Sequence, residues 1–252
     1  MIAFNWVITL PKHLTVKQFE DWYLGIHTEL AKVGHKMVRY NINRRVSEQP
    51  EAAHGDFFRI AQEYWNSWDD MVACWNHASG FALLGDGLAN MGLDPGTLPG
   101  IALTEQTQFA VAEPAQFSTL QRGYRGREDG TITRFIAFGM ARDRSKIKDW
   151  YAERYADLGQ HPLLREHIFG TGVGKVIEFG EVGRLPNENQ LSYDWNLELW
   201  FDSNADAHSF LSDSPFNDMF SSLRAESTDT LGGLFRGQEM MVLNKAIPHR
   251  DD

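Results

Sequence analysis

The chain has 252 residues, 42% hydrophobic, 12% aromatic and 23% charged, and a formal net charge of -10. The size suits one large domain or two small ones, and the acidic balance argues against a broad grip on nucleic acid or anionic lipid, both of which need a clustered positive face. A single cysteine, Cys74, excludes an internal disulfide and a cysteine-rich metal knuckle, which fits a reducing cytoplasm.

Taken in chain order, residues 2–9 read as a strand. This opening lacks a basic leader and a small-residue cleavage site and is too short to span a bilayer, so a cytoplasmic protein without membrane association is expected. Residues 15–33 read as a helix, with Phe19, Trp22, Tyr23, Ile26, Leu30 and Val33 at helical spacing and Thr15 at the N-cap position. Strands follow at 36–46 and 57–66, then a helical stretch at 67–92 that breaks near Ser79 and Gly80, and a strand at 102–112. The turn-rich run GDGLANMGLDPGTLPG from Gly85 is either a lid or an exposed insertion.

Residues 113–131, with Pro114, Gly123, Gly126 and Gly130, read as a connector that carries the short basic stretch from Arg122. Beyond it come a strand near 132–141, a helix near 144–158 capped by Asp143, strands near 167–180 and 192–201, a helix near 204–226 and a strand near 237–246. Tyr193, Trp195, Leu197 and Leu199 alternate with Asp194, Asn196, Glu198 and Trp200 as a strand requires. FGTGVGK from Phe169 precedes a strand rather than a helix and fits no phosphate-cradling motif. His161 and His167, six residues apart, match no zinc spacing.

The chain is self-similar. DWYLGIHTEL from Asp21 aligns with DWYAERYADL from Asp149 at an offset of 149 − 21 = 128 residues. A later pair, from Glu63 and from Glu198, aligns at 198 − 63 = 135, matching Glu63 with Glu198 and Trp65 with Trp200. On this alignment the two Glu–Trp pairs share a face and serve a contact between sheets. The same order in both blocks is what duplication with a loop insertion leaves. Each copy reads as strand, helix, strand, strand, helix, strand, the ferredoxin-like unit with both helices on one sheet face. Its bare face loses about 25 cal/mol per Å² while exposed. The expected fold is therefore α+β: two tandem ferredoxin-like repeats, 1–112 and 132–252, packed sheet to sheet as an intrachain pseudo-dimer.

The segments IAFNWVITL, FEDWYLGIHTELAKV, KMVRYNINR and AQEYWNSWDDM resemble the dimeric α+β barrel superfamily, and within it EthD-like proteins and the 4-methylmuconolactone methylisomerase type. The resemblance covers both halves and implies small-molecule chemistry, chiefly isomerisation, ring opening or closure and cofactor-free oxygenation. It also implies a histidine in the middle of the first helix, joined at the pocket by a tyrosine of the next strand. His27 and Tyr40 hold those places, and Thr28 and Glu29 follow where many EthD-like chains continue with x-Pro. Pairing of two copies through barrel edges is a further implication, so a homodimer is possible.

By position, His27 falls on the flank of the apolar arc, roughly 80° from Phe19 at about 100° per residue. Such an imidazole can move a proton at neutral pH without a metal, and Tyr40 can orient a substrate or stabilise an oxyanion. The expected reaction is a cofactor-independent isomerisation or lyase step, by acid/base catalysis, on a small hydrophobic, aromatic-derived or lactone metabolite. Trp22, Tyr64, Trp65, Trp68 and Tyr155 are the expected substrate-binding residues, and no cofactor or metal is expected. Tyr155 stands where the first copy has His27, so one half is expected to be catalytic. Trp75 and Phe81 are expected as core or pocket wall, and Arg39 in a surface ion pair. Two alternatives stay open. One is a haem protein of the chlorite dismutase type using His161, His167 or His208 of the second half, and the other a non-catalytic binding or assembly protein.

Overall fold

The structure, a computed structural model, describes residues 2–10, 13–46, 57–90, 107–117, 131–172 and 193–240. The first half runs β1 (Ile2–Thr9), α1 (Val16–Trp22), a π turn (Tyr23–His27), α2 (Thr28–Lys32), β2 (Met37–Arg45), β3 (Phe57–Trp65), α3 (Trp68–Trp75), α4 (Ala78–Asn90) and β4 (Thr107–Phe117). The second runs β5 (Thr131–Ala141), α5 (Arg144–Gln160), β6 (Glu166–Gly172), β7 (Trp195–Phe201), α6 (Asn204–Leu211), α7 (Ser214–Ala225) and β8 (Ser227–Met240). Thr15 closes a capping box with Gln18, and Asp143 accepts from the Ser145 amide at 2.9 Å. No helix among the described residues is long and apolar enough to cross a membrane.

All strand pairs are antiparallel, and together they close into a barrel in the order β1-β3-β2-β8-β5-β7-β6-β4, with β4 returning to β1. Each half contributes the same local order: β4-β1-β3-β2 from the first and β8-β5-β7-β6 from the second. The two sheets therefore meet edge to edge, at β2–β8 and β4–β6, and their bare faces are buried inside the barrel. Among the described residues every barrel strand is paired on both sides.

Three apolar clusters follow from this. One lies between the first half's sheet and its helices, a second occupies the same place in the second half, and a third fills the barrel. The third joins Ala3, Val7, Ile60 and Tyr64 to Ile132, Ile136, Phe138, Trp200 and Phe235. A polar network crosses the halves within it. Gln62 donates to Asn5 Oδ1 at 2.9 Å and to Glu198 Oε1 at 2.6 Å, and the Tyr64 hydroxyl donates to Glu198 at 3.1 Å. Arg134 donates to Asn43 and lies 4.0 Å over the Trp200 ring. Burial pushes the Glu198 carboxyl above its ordinary range, against the pull of Arg134.

Several expectations are corrected. The strand expected at 102–112 is β4, whose described span of 107–117 enters the expected connector; 118–130 lie outside the described residues. The last strand begins directly after α7, well before 237, and 241–246 lie outside the described residues. Glycines at 232, 233 and 237 disguise β8, because glycine reads as a strand breaker. At Gly237 the reason for glycine is space: an added Cβ would come within 2.3 Å of Asn43 Oδ1.

The alignment of Trp65 with Trp200 is also corrected. Trp65 packs under the helices of the first half, whereas Trp200 faces the barrel interior. Ser67 and Ser203 cap α3 and α6 in the same way, which sets the offset at 203 − 67 = 136, not 135. A slip of one residue moves every side chain to the opposite face of a strand. Arg39 likewise lies over Trp200 at 4.9 Å and Tyr64 at 5.9 Å, on the barrel side of its strand. Phe81 is 44% exposed and forms no core, while Trp75 is buried.

Candidate functional site

The strongest grouping of chemically active side chains lies between the π turn and α4, on the outer layer of the first half. A regular helix would turn Ile26 inward with Tyr23 and leave His27 on the flank. The π turn spends one extra residue, and such turns are frequent at functional sites. The inward face continues with Thr28 and Ala31, both buried, while Ile26 is 54% exposed and Val33 42%. Thr28 steadies the turn by donating its hydroxyl to the Leu24 carbonyl at 2.9 Å. His27 is thereby swung toward α4.

Its partner there is Asp86. His27 Nδ1 lies 2.8 Å from Asp86 Oδ2, with the two side chains 13% and 15% exposed. Asp86 also accepts from Trp22 Nε1, at 3.1 and 3.3 Å, and from Asn90 Nδ2 at 3.1 Å. Burial raises the Asp86 carboxyl, but the bonds from His27 and Trp22 outweigh it and leave the carboxyl below its ordinary value. An ionised carboxylate facing Nδ1 holds the ring proton there and leaves the Nε2 lone pair as the basic end. Gly87 permits this approach of α4, since an added Cβ would sit 3.3 Å from His27 Cε1.

Tyr40, the expected partner of His27, bonds elsewhere. Its hydroxyl lies 3.1 Å from that of Tyr23, and both residues are fully buried. Tyr23 in turn stacks on the imidazole with centroids 5.3 Å apart, so Tyr40 meets His27 only through it. Burial pushes Tyr23 up to about 12 and Tyr40 well above its ordinary value, so both are neutral phenols. Arg59 lies 4.5 Å over the Tyr23 ring and is held by both oxygens of Glu20 at 2.6 Å. Glu63 faces Tyr40 across the β2–β3 pair, and burial pushes its carboxyl up to about 8.

Among the expected substrate-binding residues, Trp22 belongs to the dyad's surroundings, 5.1 Å from His27 between ring centroids. Trp68 is partly buried against the first core. Trp65 is fully buried in that core beside Trp75, and Tyr64 is buried in the barrel, so neither reaches the dyad's face. The Tyr155 side chain lies outside the described residues.

Sequence reading missed Asp86, Asn90 and Tyr23. Asp86 sits in the run that read as a turn-rich lid; its first six residues complete α4, and 91–100 lie outside the described residues. The three candidate haem histidines stand apart. His161 lies 3.6 Å from Asp213 and against Phe210, burial pushes His167 down to about 4, and His208 is exposed on α6. No group of three or more potential metal ligands forms among the described residues.

The fold is α+β, with an antiparallel sheet that closes into a barrel. No family model and no curated protein matches the chain. Solved structures do. A candidate monooxygenase from Lactobacillus acidophilus NCFM matches with a TM-score of 0.56 and 10% identity, over 94% of this chain and 93% of that one. A candidate monooxygenase from Fusobacterium nucleatum matches at 0.59 and 8%, over 94% and 91%. An anthrone oxidase-like protein matches at 0.56 and 14%, over 95% and 92%. At such identities the likeness establishes the fold.

Proposed function

We propose that the protein is an enzyme in which His27 acts as general base and acid, with Asp86 fixing its tautomer, on a small hydrophobic substrate of aromatic or lactone origin. The carrying observation is the 2.8 Å contact between His27 Nδ1 and Asp86 in a half-buried setting. Nε2 would remove a proton from an acidic carbon or hydroxyl of the substrate and return it elsewhere on the molecule, an isomerase or lyase step that needs no cofactor. The neutral phenols of Tyr23 and Tyr40 lie behind the ring and keep it from moving inward. The arrangement also fits a history in which one unit was duplicated and only the first copy kept its base.

A second reading shares the first step. The fold neighbours are named as monooxygenases and as an anthrone oxidase-like protein. A deprotonated aromatic substrate can react directly with dioxygen, so the same base could serve an oxygenation. Screening phenols, anthrone-like ketones and lactones by thermal shift, followed by turnover with and without dioxygen, separates the two. Turnover that His27→Ala leaves intact disposes of both.

A further inference from the structure

Five side-chain carboxamides, Asn5, Asn41, Asn43, Gln62 and Asn196, are buried in the barrel. Such groups are uncommon in an interior, because each brings donors and an acceptor that must be matched. Tyr40 and Ile42 pack under the helices of the first half, so Asn41 between them points into the barrel. Trp195 and Leu197 do the same in the second half and turn Asn196 inward. Most of these amides satisfy one another. Gln62 donates to Asn5 and to Glu198, and Asn43 donates to Gln62 Oε1 at 2.9 Å and to the Ile60 carbonyl at 3.1 Å. The exception is Asn41. It is fully buried, and among the described residues neither its Nδ2 nor its Oδ1 has a partner. Asn196 donates to Glu198 Oε1 at 3.3 Å, but its own Oδ1 has no partner among the described residues. The two lie on either side of one bond. Asn41 faces Gln62 across the β2–β3 pair, and Gln62 and Asn196 donate to the same oxygen of Glu198.

We propose that the barrel interior is a second binding site, separate from the dyad, in which Asn41 and Asn196 hold a small uncharged molecule of the cyclic urea type. Stability gives no reason for Asn41, since an apolar side chain of the same shape would avoid the unmatched donor and acceptor. A residue kept against stability is what ligand sites carry. The unmatched atoms define the guest. Asn41 offers a donor beside an acceptor, and the group that meets both at once is an N–H next to a C=O, much as asparagine pairs with the donor and acceptor of an adenine edge. Asn196 Oδ1 asks for one more N–H. The complement is N–H, C=O and N–H in succession, the edge of a cyclic urea. Ile60 and Ile136, the register neighbours of Asn43 and Glu198, flank it with apolar surface. An eight-stranded barrel is wide enough to hold one small ligand. The proposal does not depend on the reading of His27 and Asp86.

Thermal unfolding of the full chain tests this with 2-imidazolidinone, which presents that edge, and with its 1,3-dimethyl derivative, which keeps the carbonyl and lacks both N–H groups. The first should raise the wild-type midpoint saturably, by about 3–5 °C at ten times its half-saturating concentration, and the second should not. Asn41→Leu should lose the response, and without any probe it should unfold no lower than wild type, because the unmatched amide is gone. His27→Ala should keep the response in full, since the dyad lies outside the barrel. No rise in wild type, an equal rise with the dimethyl derivative, or a rise that survives in Asn41→Leu overturns the proposal. So does a lower midpoint of Asn41→Leu by itself, failure to fold included, because the amide would then be matched by ordered water. A response lost in His27→Ala places the probe at the dyad and overturns it as well.

Discussion

The two halves share one strand order, yet the layers between sheet and helices differ in chemistry. In the first, Trp22 donates to Asp86, which holds His27. In the second, Trp150, 150 − 22 = 128 residues on, donates to Ser222 Oγ at 2.8 Å, and Ser222 passes a bond to the Met219 carbonyl. The matching position on the last helix thus carries a hydroxyl in place of a carboxylate (222 − 86 = 136). At the strand position opposite, Glu63 gives way to Leu199 (199 − 63 = 136), and Tyr23 and its neighbours to a Tyr151 ring stacked on Phe169 at 4.4 Å. The lesson is that one scaffold supports both a polar layer with a histidine–aspartate contact and a nearly apolar one. Stability asks only that each buried donor find an acceptor.

The difference can be attacked directly. The largest effect is expected at the dyad. His27→Ala should reduce turnover by about 10²- to 10⁴-fold, the usual range for losing a general base, while Ser222→Ala should leave turnover within about twofold.

Next in size is the network that ties the halves together inside the barrel. Glu198→Ala leaves the buried donors of Gln62, Tyr64 and Trp200 without the acceptor they share and should destabilise by about 3–5 kcal/mol in urea unfolding, since each buried donor left unsatisfied costs about 1–3 kcal/mol. A loss under 1 kcal/mol would mean that the network does not couple the halves.

Glu63 sharpens the contrast between the layers. Its folded-state value of about 8 lies above the ordinary 4.5. A raised folded value means that stability is complete below the unfolded value and is lost as pH rises through the window from about 4.5 to 8. Glu63→Gln should therefore be more stable than wild type by on the order of 2–3 kcal/mol at pH 7 and no more stable at pH 4, read from urea midpoints. Equal midpoints at both pH values would show that this carboxyl is not desolvated. The smallest effect belongs to the second half: Trp150→Phe removes a single bond to Ser222 and should cost about 1 kcal/mol without affecting turnover.

Much of the architecture was legible because it rests on periodicity. The alternation through Trp195 to Leu199 and the helical spacing of Phe19, Trp22 and Tyr23 are dictated by which side chains must leave water, and both elements formed where the pattern placed them. Ile26 broke the pattern because the π turn has no sequence signal of its own. The order of the strands around the barrel was legible only as far as each unit, since edge pairing between halves is a long-range choice. The site was half legible. His27 stood out as an imidazole on a helix flank, and its partner lay within the stretch expected to be helical, but in a glycine-rich run also read as a lid or an insertion, and only packing brings it against the ring.

The amino-acid sequence by itself determined the α+β class, the two like-ordered units and the presence of a titratable ring on the first helix, because hydrophobic period and side-chain chemistry are local properties. Tertiary structure alone decided that Asp86 rather than Tyr40 meets that ring, that Trp65 and Trp200 face opposite ways, and that the sheets join at their edges. Each of these depends on a register of one residue, and a strand or helix fixes its register only when it packs against something else.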